Sequence, residues 1–195
     1  MPRIVDDAQR RDEIGRAALA IAMSEGIEAV TFRAVAAQMG ALSTTAVTHY
    51  APSRAAVLEM MLGRLYSQAR ATIEGTGWPD DPREALAKLA DSVLPSDPLT
   101  MSGARIVFAA SMQITGDLGS QVDFARWGDW LQERVSDLVT EILGSGSTDV
   151  SDAVMAAITG VSFLALMDPD HWSPDRQRTA MATTLDAHQI STRDS

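Results

Sequence analysis

Between two stretches of helical patterning lies STTAVTHYAPSR, Ser43 to Arg54, which sets hydroxyls and an imidazole around a few apolar residues and stops at Pro52. If Ala46, Val47 and Tyr50 form the packed stripe of a short helix, Thr44, Thr45, Thr48 and His49 are its exposed set. Hydroxyls and imidazoles bond base edges or phosphates, and a threonine methyl packs on thymine. The chemistry that suits these residues is recognition of duplex DNA. A solvated helix face has the same composition, so the residue types alone leave both readings open.

Catalysis has less to work with. The chain has no cysteine, which excludes disulfides, thiolate zinc sites and a cysteine nucleophile. His49, His171 and His188 lie in separate segments. No H-x-x-x-H, E-x-x-H, nucleophile elbow or phosphate-binding glycine loop occurs. The expectation is therefore no catalytic residues, no metal and no cofactor. A helical enzyme stays as a lesser alternative.

The elements that must position the short helix are read from periodicity and caps. Residues 7 to 25 form an amphipathic helix with Ile14, Ala17, Ala18, Ile21 and Ala22 on one face, ending at Gly26. Thr31 caps a second helix that buries Val35, Ala36 and Met39 and stops at Gly40. The quoted stretch is the third, starting at Ser43 or Thr44. Ser53 caps a fourth, from Arg54 to about residue 72, with Val57, Leu58, Met61 and Leu65 inward. Helix, tight turn and short helix within about 20 residues match a helix-turn-helix outline.

GTGWPDDP, residues 75 to 82, is the clearest punctuation in the chain. It divides a DNA-binding domain at 1–52, with 53–74 as connector, from a second domain at 75–195. Helices are expected there at about 83–94, 101–115, 119–143, 149–167 and from Ser173 to about His188, with Ile106, Ala109 and Met112 inward on the second of these and Leu164 inward on the fourth. PSDP at 95–98 reads as a break. The fold class is all-α with about nine helices.

Charge divides the same way. The total is −10, yet residues 1–70 carry a net +1 and residues 71–195 a net −11. Only the first third can approach a polyanion without strong repulsion. No apolar run is seen that approaches the ~18 residues of a membrane span, and the N-terminus has no signal-peptide pattern, so a cytoplasmic protein without membrane partners is expected.

Residues 10 to 58 resemble the DNA-binding domain of the tetracycline-repressor (TetR) family. The resemblance lies in RAALAIAMSEGIEAVTFRAVAAQMG followed by STTAVTHYAPSRAAVL, where the family shows a helix, E-G, T, a short helix, G-V-S, an H-F or H-Y-F ending, S-K and a long hydrophobic helix. Three departures stand out. GALS is one residue longer than G-V-S; Ala51 and Thr48 stand where phenylalanine and tyrosine are common; Arg54 replaces lysine. The candidate DNA-contacting set is Thr31, Arg33, Ser43, Thr44, Thr45, Thr48, His49, Tyr50 and Arg54, with Thr31, Arg33 and Arg54 toward phosphates.

The same resemblance implies a homodimer through the last two helices, a small-molecule effector bound among the middle ones and a near-palindromic operator, most often under repression. Ala153, Ala156, Ala157, Gly160 and Val161 permit close approach on the eighth helix, and Met181 and Leu185 offer an apolar partner face on the ninth. Packing inside one chain explains these residues equally well. Candidate effector-lining residues are Phe108, Met112, Phe124, Trp127, Trp130, Met155, Phe163 and Met167, with Gln113, Asp123 and Arg126 as possible polar partners. The acidic second domain hints at a cationic effector, and at least as much at plain solubility. An adaptor that has lost DNA reading is a further alternative.

Overall fold

The computed structural model describes residues 7–114 and 122–192, with side chains of 122–127 left aside. Among the described residues every regular element is helical. In order these are α1 (Asp7–Glu25), a 3₁₀ turn (Ile27–Ala29), α2 (Phe32–Gln38), α3 (Thr45–Thr48), α4 (Arg54–Gly75), α5 (Pro82–Val93), α6 (Pro98–Ile114), α7 (Val122–Leu143), α8 (Thr148–Met167) and α9 (Pro174–Ala187). The expected all-α class and the order of its helices are those observed.

The chain divides into two compact units, one taking residues 1–70 and 105–127 and the other 71–104 and 128–195. In the first unit, the apolar stripes of α1 and α2 bury Ile14, Ala18, Ile21, Val35 and Ala36 against Val57, Leu58, Met61 and Leu62 of α4. Gly15 belongs to this packing for a steric reason: a Cβ there would sit 2.4 Å from the carbonyl oxygen of Met60. The end of α6 joins the same core through Ile106, Ala110 and Ile114. The expected inward set of Ile106, Ala109 and Met112 is thus corrected. A spacing of four follows the 3.6-residue helical period on this face, whereas two steps of three drift off it, and Met112 is exposed.

PSDP is the break between α5 and α6, but it is shorter than expected, and α6 starts at Pro98 rather than near residue 101. Asp97 accepts from the backbone amides of Leu99 at 2.7 Å and Thr100 at 3.1 Å, and α6 begins at Pro98, whose missing N–H costs nothing in a first turn. The other caps follow the sequence reading. Thr31, Ser53 and Ser173 accept from the amides of Ala34, Ala56 and Arg176.

In the second unit, α8 packs on α9 and α5 reaches α9. Gln177 of α9 is buried and donates to the carbonyls of Pro95 at 3.2 Å and Trp172 at 2.9 Å. Arg83 of α5 holds the tail after α9 by donating to the carbonyls of Gln189 at 2.6 Å and Ser191 at 3.0 Å. The guanidinium of Arg134 lies 4.5 Å over the ring of Trp78.

Two expectations for the last helices change. Met181 and Leu185, offered as an outward apolar face of α9, are buried within the chain, as is Val161 of α8. Leu164, expected inward, is exposed instead, beside exposed Phe163 and Met167. Helix α8 is also long and apolar enough to cross a membrane by length and composition, with a mean hydropathy of 1.8 and 28% of that stretch buried. The two aspartates in its first turns had masked this in the sequence.

Candidate nucleic-acid interface

The turn between α2 and α3 is built on Gly40, whose φ of 69° suits a residue without a Cβ. The amide of Ala41 donates to the carbonyl of Ala36 at 2.9 Å and that of Gly40 to Ala37 at 3.0 Å. This pair of bonds is a Schellman ending for α2, and Ala41 provides its apolar contact by packing on the core. Ser43 then starts α3: its Oγ accepts from the amide of Thr45 at 3.2 Å and donates to the Thr45 hydroxyl at 3.0 Å. Leu42, between the two motifs, packs on nothing and is 107% exposed.

Helix α3 is short because Pro52 follows so soon. It spans four residues, with helical hydrogen bonding carried on by the amides of Tyr50 and Ala51 to the carbonyl of Val47 at 3.0 and 2.9 Å. Val47 and Ala51 are fully buried, and Ala46 and Tyr50 are half-buried. Burying Val47 contributes about 1.5–3 kcal/mol, enough to seat a helix too short to persist alone. Ala51 fills with a small side chain the place where a phenylalanine had been noted as missing. Thr44, Thr45, Thr48 and His49 are all exposed, with the imidazole edge-on to the Tyr50 ring at 4.8 Å.

The remaining candidates divide. Thr31 and Arg33 lie exposed at the start of α2, where the Thr31 oxygen accepts the Ala34 amide at 3.1 Å and keeps its own proton to donate. Arg54 is spent inside the unit. Its Nε donates to the carbonyl of Val30 at 3.0 Å, one Nη to that of Ile27 at 2.8 Å, and the other to Gln113 Oε1 on α6. The position read as a phosphate contact therefore holds the chain segment leading into α2.

No protein-family model and no curated protein sequence matches this chain. Solved structures do. A TetR transcription regulator from Haloarcula marismortui is 19% identical with a TM-score of 0.72, covering 92% of this chain and 98% of its own. A regulator from Saccharomonospora viridis in complex with choline is 18% identical with a TM-score of 0.77, covering 95% and 100%. The multidrug binding protein EbrR complexed with ethidium is 16% identical with a TM-score of 0.70, covering 92% and 99%. The chain has the TetR-type fold.

Within the TetR-type fold of this chain, the effector candidates fall in different places. Phe108 and Met112 belong to the first unit and are exposed; Trp130, Met155, Phe163 and Met167 belong to the second. There Trp130 and Met155 are half-buried, while Phe163 and Met167 are exposed. The side chains of Phe124, Trp127, Asp123 and Arg126 lie outside the described residues. A cleft of about 470 Å³ in the second unit is lined by Arg83, Ile142, Leu143, Gln189 and Ser191, and by none of the eight candidates. Among the described residues no cluster of three His, Asp or Glu is placed to hold a metal ion.

Sequence reading missed two features of the TetR-type head in this chain. One is the exposed Leu42, foreshadowed only by the extra residue in GALS. The other is the tie from Arg54 through Gln113 to Glu28, where Gln113 Nε2 donates to Glu28 Oε1 at 2.8 Å. Side chains 59 and 85 positions apart leave no local pattern to find.

Proposed function

We propose that this chain is a cytoplasmic homodimeric transcriptional regulator that reads a near-palindromic operator through α3 and changes its DNA affinity when a small molecule binds. The observation that carries this reading is a hydroxyl-rich α3 seated on buried Val47 and Ala51, with Thr44, Thr45, Thr48 and His49 turned to solvent behind a helix-turn-helix bend. DNA binding is assigned to residues 1–52 with 53–74 as connector, and effector binding and dimerisation to 75–195, of which 105–127 belong to the first compact unit. Arg33, Thr31, Ser43 and Tyr50 complete the DNA-facing set, whereas Arg54 acts on it from behind.

The dimer reading rests on α8. A 20-residue apolar helix left largely uncovered in one chain calls for a partner, and a second copy is the one a twofold operator needs. Its outer face carries Phe163, Leu164 and Met167, with Ala156 and Gly160 allowing close approach. Two copies would set their α3 helices roughly 34 Å apart, in successive major grooves.

For the effector, a cation is favoured by the net −11 of residues 71–195 and by the choline and ethidium held by two proteins of the same fold. Repression relieved by that ligand follows if it binds better to the conformer with lower operator affinity.

The test is a fluorescence-anisotropy titration of the purified chain against duplexes from upstream of its own gene. Binding should be sequence-selective and weaken as salt rises. An absence of selective, salt-sensitive binding sinks the regulator reading and leaves the adaptor.

A further inference from the structure

We infer that Leu42 is a specificity-determining residue of the DNA surface, packing its side chain on the 5-methyl group of a thymine in each operator half-site. The inference rests on the DNA-binding reading above. A lone exposed leucine is ordinary on a protein surface. What sets Leu42 apart is its place.

Both neighbours of Leu42 are fixed by structure that does not use its side chain. On one side the Schellman bonds of Gly40 and Ala41 close α2, and Ala41 supplies the apolar contact that such endings take. On the other, Ser43 caps the first turn of α3. The extra residue in this turn is thus pushed out of the fold, and it is fully exposed at 107%. Nothing in folding calls for a leucine there; a serine or asparagine suits an exposed turn better.

Reach makes the assignment. Two virtual bonds separate the Cα atoms of Leu42 and Thr44, so they lie at most about 7.6 Å apart. A duplex that brings Thr44 and Thr45 against base edges also brings Leu42 to the groove. The N-terminal end of a recognition helix is the part that meets base edges in this motif. Of the chemical features in the major groove, the thymine methyl is the one an aliphatic side chain recognises. The hydroxyls of Ser43, Thr44 and Thr45 take the polar edges beside it.

The experiment begins by selecting an operator with the wild-type chain from a randomised duplex library. Binding of wild type and Leu42→Ala is then compared on that operator and on copies in which one thymine position at a time becomes deoxyuridine in both half-sites, which removes only the methyls. At one such position wild-type binding should weaken about three- to tenfold for each half-site that loses its methyl, the scale expected for uncovering a methyl-sized apolar contact. Leu42→Ala should show the same loss on the thymine operator and none further on the uracil one. A Leu42→Ala chain that keeps wild-type affinity and its sensitivity to the methyl overturns the assignment alone, as does an equal loss on both duplexes, which marks contact with the sugar-phosphate backbone. If the wild-type chain enriches no duplex, the regulator reading falls and this inference with it. A far-UV circular dichroism melt of Leu42→Ala matching wild type confirms that the fold is not the cause.

Discussion

Arg54 at the start of α4 and Gln113 near the end of α6 share a hydrogen bond within the first unit, although 59 positions separate them in the chain. The same guanidinium bonds the carbonyls of Ile27 and Val30. Arg54→Ala should lower stability by about 1.5–3 kcal/mol, the range for hydrogen bonds to a charged group, and toward the low end because 35% of the side chain is exposed. Arg54→Lys should recover little, since an ammonium cannot span both carbonyls as a guanidinium fork does. Urea unfolding at constant m-value measures both. Equal midpoints for wild type and Arg54→Ala would mean that the tie carries no energy.

Gly15→Ala tests the crossing of α1 and α4. Alanine in a helix interior gains about 0.5–1 kcal/mol over glycine. Against that stands a Cβ only 2.4 Å from the Met60 carbonyl oxygen, a backbone atom that cannot rotate away. Overpacking of this kind costs about 1–3 kcal/mol, so the balance is a net loss. A lower melting temperature than wild type is expected; a higher one would show that the two helices part freely.

How much of this was legible follows from what each signal depends on. The stripe of Ile14, Ala17, Ala18, Ile21 and Ala22 and the caps at Thr31 and Ser173 are local, and they are found where periodicity and side-chain chemistry put them. Asp97 was hidden because PSDP reads equally as a turn and as a helix start, and only the bonds to Leu99 and Thr100 decide. The inward face of α6 was misread because Met112 is apolar enough for a core yet stands outside it. Met181 and Leu185 were apolar residues with two possible hosts, their own chain or a second copy, and no sequence pattern separates these. In the set proposed to face DNA, exposure of the threonines followed from the buried Val47, whereas the fate of Arg54 depended on a helix far along the chain.

Asp97 gives a pH signature. Its hydrogen bonds hold the carboxyl below the usual carboxylate range, first the one from the Thr100 amide and then the one from the Thr100 hydroxyl. With the folded value depressed, the stabilisation is present above the unfolded pKa of about 3.9 and is lost as pH falls through the folded value. Asp97→Ala should cost about 1 kcal/mol at neutral pH, as for other N-caps. The gap between wild type and Asp97→Ala should narrow in acid. A gap that is constant from pH 7 to pH 2 would place the cap's contribution elsewhere.

Thr44→Ala, Thr45→Ala and Thr48→Ala separate reading from folding. All three side chains are exposed, so each change should move stability by no more than about 0.5 kcal/mol. Where a threonine reads a base, discrimination against a changed operator position should fall by about 1–3 kcal/mol. Competition binding with point-substituted duplexes reports this position by position. Unaltered discrimination in all three variants would refute the assigned register of α3.

Phe163→Asp probes the outer face of α8. The side chain is 42% exposed in a single chain, so an aspartate there remains hydrated and the fold should survive, as judged by an unchanged far-UV spectrum. In a dimer closed over Phe163, Leu164 and Met167 the same carboxylate would be stripped of water without a partner, at a cost of several kcal/mol. Both copies carry the change across a twofold interface, so the penalty is incurred twice. Sedimentation velocity should therefore find wild type dimeric and Phe163→Asp monomeric at micromolar concentration, with operator affinity falling as the two α3 helices cease to act together. A variant that stays dimeric would move the interface off this face of α8.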